Sequence, residues 1–357
     1  MNQTPNISKN LPRWFVTSCV LLLTIAGMSF AAQGDEWTQF RGPDGSGTAT
    51  ANGLPATWDS QKNVVWKTEL PGPGTSSPVI LGNRIFLTCY SGYAESIENP
   101  GDQNQLMRHL VCVDRASGAL LWRKDFKPKL PESDYRGGNN TRHGYASSTP
   151  ATDGKRLYVF FGKSGVFGFD LEGNTLWQTD VGSETNSWGS ATSPLLYEDL
   201  VIVNASIESN SLVALDKKTG ELKWRARGID QCWSSPALVH AGDSREVVLN
   251  LPNEVAGFDP NTGDKLWYCE GIPDSYVCPT AISHDGVVFV IGGRKNTVVA
   301  VRVGGRGDVT NSHVLWKAEV GSNVTSPVYV NGYLYWFHDS RGFAYCLDAK
   351  TGEVMYT

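Results

Sequence analysis

The chain has 357 residues, 40% of them hydrophobic and 19% charged, and a formal net charge of −5. That balance excludes wholesale disorder, and an acidic chain without a basic run is a poor partner for nucleic acid. Twelve Trp, 38 Gly and 18 Pro instead suggest many short strands separated by turns.

At the start of the chain, Lys9 and Arg13 precede an apolar run from Trp14 to Met28, and Ser29-Phe30-Ala31 follows with small residues where a peptidase cuts. This pattern predicts a secretory signal peptide over residues 1–31 and a periplasmic or otherwise exported protein. The run is short for a full membrane span. Val16-Thr17-Ser18-Cys19 loosely resembles a lipoprotein box, but it stands at the start of the apolar run rather than its end, so no lipid is expected on Cys19. Loss of residues 1–31 removes two positive charges and takes the net charge from −5 to −7. Residues 32–62 are expected to form an N-terminal extended segment. Six cysteines remain (Cys89, Cys112, Cys232, Cys269, Cys278 and Cys346), none in a CxxC pattern and no two adjacent. Export permits disulfides. Cys89 and Cys112, in successive strands, either pair or stay as buried thiols.

From residue 63 onward one pattern recurs, Asp-x-x-x-Gly-x-x-x-Trp. It appears as Asp114…Gly118…Trp122, Asp216…Gly220…Trp224 and Asp259…Gly263…Trp267. Asp170…Gly173…Trp177 is one residue shorter, Asp348…Gly352…Tyr356 ends in Tyr, and a degraded copy keeps Trp316 but has Arg302 where Asp is expected. A small residue followed by Pro precedes each copy, at Pro78, Pro150, Pro194, Pro236, Pro279 and Pro327, and the last four steps are 44, 42, 43 and 48 residues. A period in the forties with several strands per unit predicts an all-β propeller of four-stranded blades, six units being visible. The Asp carboxylate can accept turn amides, Gly supplies positive φ, and Trp buries a broad face between blades. These residues are therefore expected to be structural rather than catalytic.

The repeat with its Ser-Pro strand start resembles the PQQ-like β-propeller family, over roughly residues 35–357. The opening Trp37-Thr-Gln-Phe40-Arg41-Gly42-Pro43 is also similar to the N-terminal segment of exported bacterial members. The resemblance implies a ring of seven or eight blades, so that six units would make an incomplete ring truncated at the C-terminus; a closed six-bladed ring is the alternative. Asn63-Val-Val-Trp66 reads as a fourth strand without its first three.

Propellers bind ligands where loops converge at the channel mouth. The loops before each Pro carry Arg142, His143, Tyr145, Trp188, Trp233 and Tyr276, and such amphipathic aromatics suit a peptide, a sugar or a flat cofactor. Arg142 and His143 could meet an anion. The acidic stretch from Ser91 to His109 reads as a surface loop available to a partner. No Gly-x-Ser-x-Gly elbow, zinc spacing or Walker loop is present, and no Ser/His/Asp set can be picked from six scattered histidines. The resemblance implies two readings. One is a non-catalytic envelope scaffold binding a protein or peptide, similar to the propeller lipoprotein of the outer-membrane β-barrel assembly machinery. The other is a quinoprotein alcohol or sugar dehydrogenase with PQQ and Ca²⁺. The absence of the vicinal Cys pair typical of those enzymes favours the scaffold, for which no cofactor is expected. Binding of a carbohydrate or another small ligand is a third possibility.

Overall fold

The computed structural model describes Met1 and residues 36–50, 53–135 and 139–357. The expected signal peptide, including Cys19, lies outside the described residues apart from Met1. Among the described residues six sheets follow one another, each with four antiparallel strands, over residues 79–126, 151–179, 195–227, 237–270, 282–318 and 328–356, the fourth sheet gaining one short parallel strand from a later segment; they are called blades 1 to 6. The second and third strands of a blade read as continuous apolar runs, such as Leu200–Ala205 and Ser211–Asp216, because both of their faces are covered. The core accordingly lies between blades. Val79, Phe86 and Leu110 of blade 1 pack on Leu157, Val159 and Phe169 of blade 2.

Two belts of hydrogen bonds join successive blades. The inner belt explains the small residue at each strand start. Ser77 N–H donates to Thr149 Oγ1 at 2.9 Å, Thr149 N–H to Ser193 Oγ at 3.0 Å, Ser193 N–H to Ser235 Oγ at 3.0 Å, Ser235 N–H to Thr280 Oγ1 at 3.1 Å, and Thr280 N–H to Ser326 Oγ at 2.9 Å. Cys278 holds the small-residue position in blade 5, and Thr280, on the far side of Pro279, supplies the hydroxyl. Ser193→Ala would leave the buried Thr149 amide without an acceptor. The expected cost is about 1–3 kcal/mol, read as a lower urea midpoint; an unchanged midpoint would mean that the belt contributes no stability.

The outer belt is built by the Asp turns. Asp216 Oδ1 accepts the amides of Lys218 at 2.8 Å and Thr219 at 3.0 Å, and Gly220 follows at φ +74°. A Cβ on Gly220 would lie 2.5 Å from the Trp177 ring of the preceding blade, so this glycine is required both by the turn and by the close approach. Trp177 Nε1–H then donates to Lys217 O at 3.0 Å. Trp224 repeats the contact on Pro260 O at 3.0 Å and Trp316 on Ala349 O at 3.1 Å. In all six blades the ladder between third and fourth strands slips by one residue just before the Asp position, even in blade 5, where Arg302 stands there. The bulge is thus kept where the Asp is lost.

Blade 5 also shows why its repeat is degraded. Residues 303–313 form an insertion whose strand Gly307–Asp308 pairs in parallel with blade 4. Trp267 therefore meets no Gly turn. Its Nε1–H donates at 2.7 Å to the buried Glu246 carboxylate, which Gly304 N–H approaches at 3.3 Å and Arg306 at 3.7 Å.

The N-terminal segment is tied down at several points. Trp37 and Ile80 exchange backbone hydrogen bonds at 3.0 and 2.8 Å, Thr152 N–H donates to Thr38 O at 2.8 Å, and the Arg41 guanidinium reaches Pro327 O in blade 6. Burial lowers Arg41 to about 10, against the raising effect of Asp44. Together with the inner strands of blades 2 to 5, this segment lines a cavity of about 740 Å³. Residues 63–68, expected as a fourth strand, pair with no sheet and instead dock on the blade 1 turn: Trp66 Nε1–H donates to Arg115 O at 2.9 Å, and Thr68 Oγ1–H to Gly118 O.

One alternative left open is decided, and one expectation needs correction. Cys89 and Cys112 do not pair, and all six cysteines from Cys89 to Cys346 are free thiols. Cys89 lies opposite His109 and Cys112 opposite Phe86, an odd offset that puts the two thiols on opposite faces of the sheet. Ser91 to His109 is not wholly a loop, because Ser91 ends one strand and Met107 begins the next. Its interior is anchored by buried Tyr93, Ala94 and Leu106.

Candidate functional site

The structure brings together three of the four mouth aromatics. Trp188, Trp233 and Tyr276 come from the loops that enter blades 3, 4 and 5. Their ring centroids are 6.2 Å apart for Trp188–Trp233, 5.6 Å for Trp188–Tyr276 and 6.5 Å for Trp233–Tyr276. Trp233 is buried and donates its Nε1–H to Gly189 O at 2.8 Å, which ties the blade 4 loop to the blade 3 loop. Trp188 and Tyr276 are half-buried and present ring surface. Tyr145 is elsewhere. The two long insertions fold over it, so it is buried against Tyr90, Tyr93 and Tyr135 and donates its hydroxyl to Ser133 O at 2.6 Å.

The rim around the three rings is polar. Arg294 clamps Asp274 at 2.6 and 3.1 Å and stacks its guanidinium 5.3 Å from the centre of the Tyr276 ring. Arg294, together with the amides of residues 294 and 275, holds the Asp274 carboxyl well below the usual carboxylate range, against its partial burial. Asn323 Nδ2–H donates to Tyr276 Oη at 2.9 Å, and Asn323 Oδ1 is a buried acceptor that meets no donor among the described residues. Sequence reading named Tyr276 but missed Arg294 and Asp274. The signal was faint: 20 positions separate Asp274 from Arg294, and only the return of the blade's second strand brings them together.

Arg142 and His143 do not form an anion pair. Arg142 is exposed at the end of the short helix Asn139–Arg142. His143 uses both ring nitrogens within the chain: Nε2–H donates to Trp188 O, and Nδ1 accepts from Ser147 Oγ at 2.6 Å. Burial lowers its pKa, against the bond to Trp188 O, so the ring stays neutral and props the Trp188 loop. The repeat residues lie in the turns and fourth strands of the outer belt.

Among the described residues no group of three or more His, Cys, Asp or Glu side chains is gathered to hold a metal ion. The described cysteines are free and none is adjacent to another. This donor set does not fit a calcium-bound quinone. The mouth offers apolar ring faces, one fixed ion pair and an open amide acceptor, which is chemistry for binding.

A model of PQQ-like repeats, described as outer membrane protein assembly factor BamB, matches residues 107–357. The chain belongs to this family. No curated protein matches this BamB-like chain in sequence. Among solved structures it is similar to BamB from Moraxella catarrhalis, with 18% identity and a TM-score of 0.53, over 80% of this chain and 75% of that one. It is also similar to the computationally designed protein Ika8, with 13% identity and a TM-score of 0.44, over 80% and 88% of the two chains. The quinohemoprotein alcohol dehydrogenase of Comamonas testosteroni gives 11% identity and a TM-score of 0.42, over 79% and 66%. Likenesses this distant concern the fold alone.

Proposed function

We propose that this BamB-like propeller is an exported scaffold of the bacterial cell envelope whose aromatic mouth carries no catalysis and docks a protein or peptide segment. The observation that carries the reading is the convergence of Trp188, Trp233 and Tyr276 from three consecutive blades, beside the Arg294–Asp274 pair. Rigid aromatics with few rotatable bonds, rimmed by polar groups, make an anchor for an extended segment. Family membership supports a protein partner in the envelope, since the matched description is an outer-membrane assembly factor.

The test uses immobilised peptides of about ten residues with the alternating pattern of outer-membrane strands. Signal-free protein should bind a subset of them. Trp188→Ala combined with Tyr276→Ala should weaken binding at least tenfold, as expected for loss of two interface anchors. Equal binding by the double variant would remove the mouth from the reading. Saturable quenching of tryptophan fluorescence by PQQ with Ca²⁺, together with dye-linked alcohol oxidation, would replace the scaffold with a quinoprotein.

A further inference from the structure

Three neighbouring strands of blade 1 carry a row of side chains that the sequence did not single out. Ser91 ends the strand Arg84–Ser91, His109 lies in Met107–Asp114 and Asp125 in Leu120–Phe126. The ladder sets His109 opposite Cys89 on one side and opposite Asp125 on the other. Ser91, two positions beyond Cys89, therefore shares their face. His109 Nδ1–H donates to Asp125 Oδ1 at 2.7 Å, which leaves Nε2 to accept from Ser91 Oγ–H at 2.8 Å. Arg123 pins the same carboxylate at 2.9 and 3.0 Å. The imidazole is buried, whereas Ser91 is half-buried at the strand end. The neighbouring Cys89 thiol is raised to about 11, chiefly by burial, and makes no contact with the His109 ring nitrogens, which meet Asp125 and Ser91.

We propose that Ser91 is an activated nucleophile, with His109 as its general base and Asp125 orienting the ring, and that it takes small carboxylic esters. Nucleophile, base and orienting group stand in the order such catalysis requires. A donor for the developing oxyanion is adjacent: Gly92 N–H holds the carboxylate of exposed Glu95. That amide thus already binds a negative oxygen one residue from the nucleophile. In the step, Ser91 Oγ forms a bond to the ester carbonyl carbon while His109 Nε2 takes the hydroxyl proton. The tetrahedral adduct then expels the alcohol oxygen, which receives that proton from His109. Water releases the acid from acyl-Ser91 by the same route. The His143–Ser147 pair lacks this arrangement, because the far nitrogen of His143 meets a backbone carbonyl rather than a carboxylate.

The full chain would be treated with a fluorophosphonate probe, with the adduct located by peptide mass spectrometry and p-nitrophenyl acetate hydrolysis followed in parallel. One adduct on Ser91 is expected, absent in Ser91→Ala. Labelling should slow at least 100-fold in His109→Gln and at least tenfold in Asp125→Asn. Glu95→Ala should speed labelling by freeing the Gly92 amide. Thermal melting checks that each variant folds, and Ser91→Ala and Asp125→Asn decide the matter if His109→Gln does not. No adduct on Ser91 in the folded protein, or equal labelling of the Asp125→Asn variant, would overturn the proposal.

Discussion

Trp267→Ala is expected to lower the unfolding free energy by about 4–5 kcal/mol, at the top of the range for loss of a large buried aromatic. Trp267 is among the largest fully buried side chains and belongs to the core cluster that joins blades 3, 4 and 5. Its removal opens a cavity and takes the indole donor from Glu246, a carboxylate with only 2% side-chain exposure. Arg306 is 3.7 Å away and largely exposed, so it replaces little of that bond. Trp267→Phe separates the two effects. It keeps most of the buried area and should cost about 1–2 kcal/mol through loss of the indole donor, with only the Gly304 amide at 3.3 Å still facing that carboxylate oxygen. Trp224→Ala should cost less than Trp267→Ala, because Trp224 is slightly more exposed and donates to a neutral carbonyl. Urea midpoints measure all three. If Trp267→Phe is as stable as the parent, the Glu246 bond makes no net contribution.

A second large effect depends on pH. Glu208 lies in the short helix Ser206–Ser209 at the end of blade 3's second strand and is 2% exposed. Burial raises its pKa from 4.5 to about 7, with Glu132 adding to the shift and the Ser190 hydroxyl bond and Arg108 opposing it. A carboxyl whose folded pKa is raised stabilises the fold fully below its unfolded pKa. That contribution is lost as the pH climbs from about 4.5 through about 7. Above this window the ionised, buried group costs about 3 kcal/mol relative to the unfolded chain. Glu208→Gln removes the charge while nearly keeping the shape. At pH 8 it should raise stability by about 2–3 kcal/mol, and at pH 4 the variant and the parent should melt together. Parallel stability curves from pH 4 to pH 8 would show that Glu208 is not the group responsible. Ser190 lies two residues beyond Trp188, so the same titration bears on the loop that carries a mouth aromatic.

Much of the fold was legible because each blade repeats one local solution. The Asp-to-Gly turn, the Trp that follows it and the small residue before Pro each sit at a nearly constant spacing, and each meets its partner in the adjacent blade. Periodicity therefore revealed the six units and their four strands. The same spacing showed where blade 5 departs from the rule at Arg302, although not that Glu246 replaces the missing turn. The mouth was half legible. Trp188, Trp233 and Tyr276 could be placed on converging loops, but Tyr145 occupied a similar position in the sequence and proved to be buried. What separates it from the others is the pair of insertions folded over it, and insertions carry no period.

The sequence by itself determined the blade architecture and the Asp, Gly and Trp positions that join successive blades, because these depend on residues a fixed distance apart. The tertiary structure alone decided which side chains meet across strands. The Ser91–His109–Asp125 row depends on the register of three strands, with an insertion between the first two. The Arg294–Asp274 clamp depends on how far blade 5's second strand runs, and the state of Glu208 on what covers it. Register and burial are set by packing against neighbouring blades, and no local run of residues encodes them.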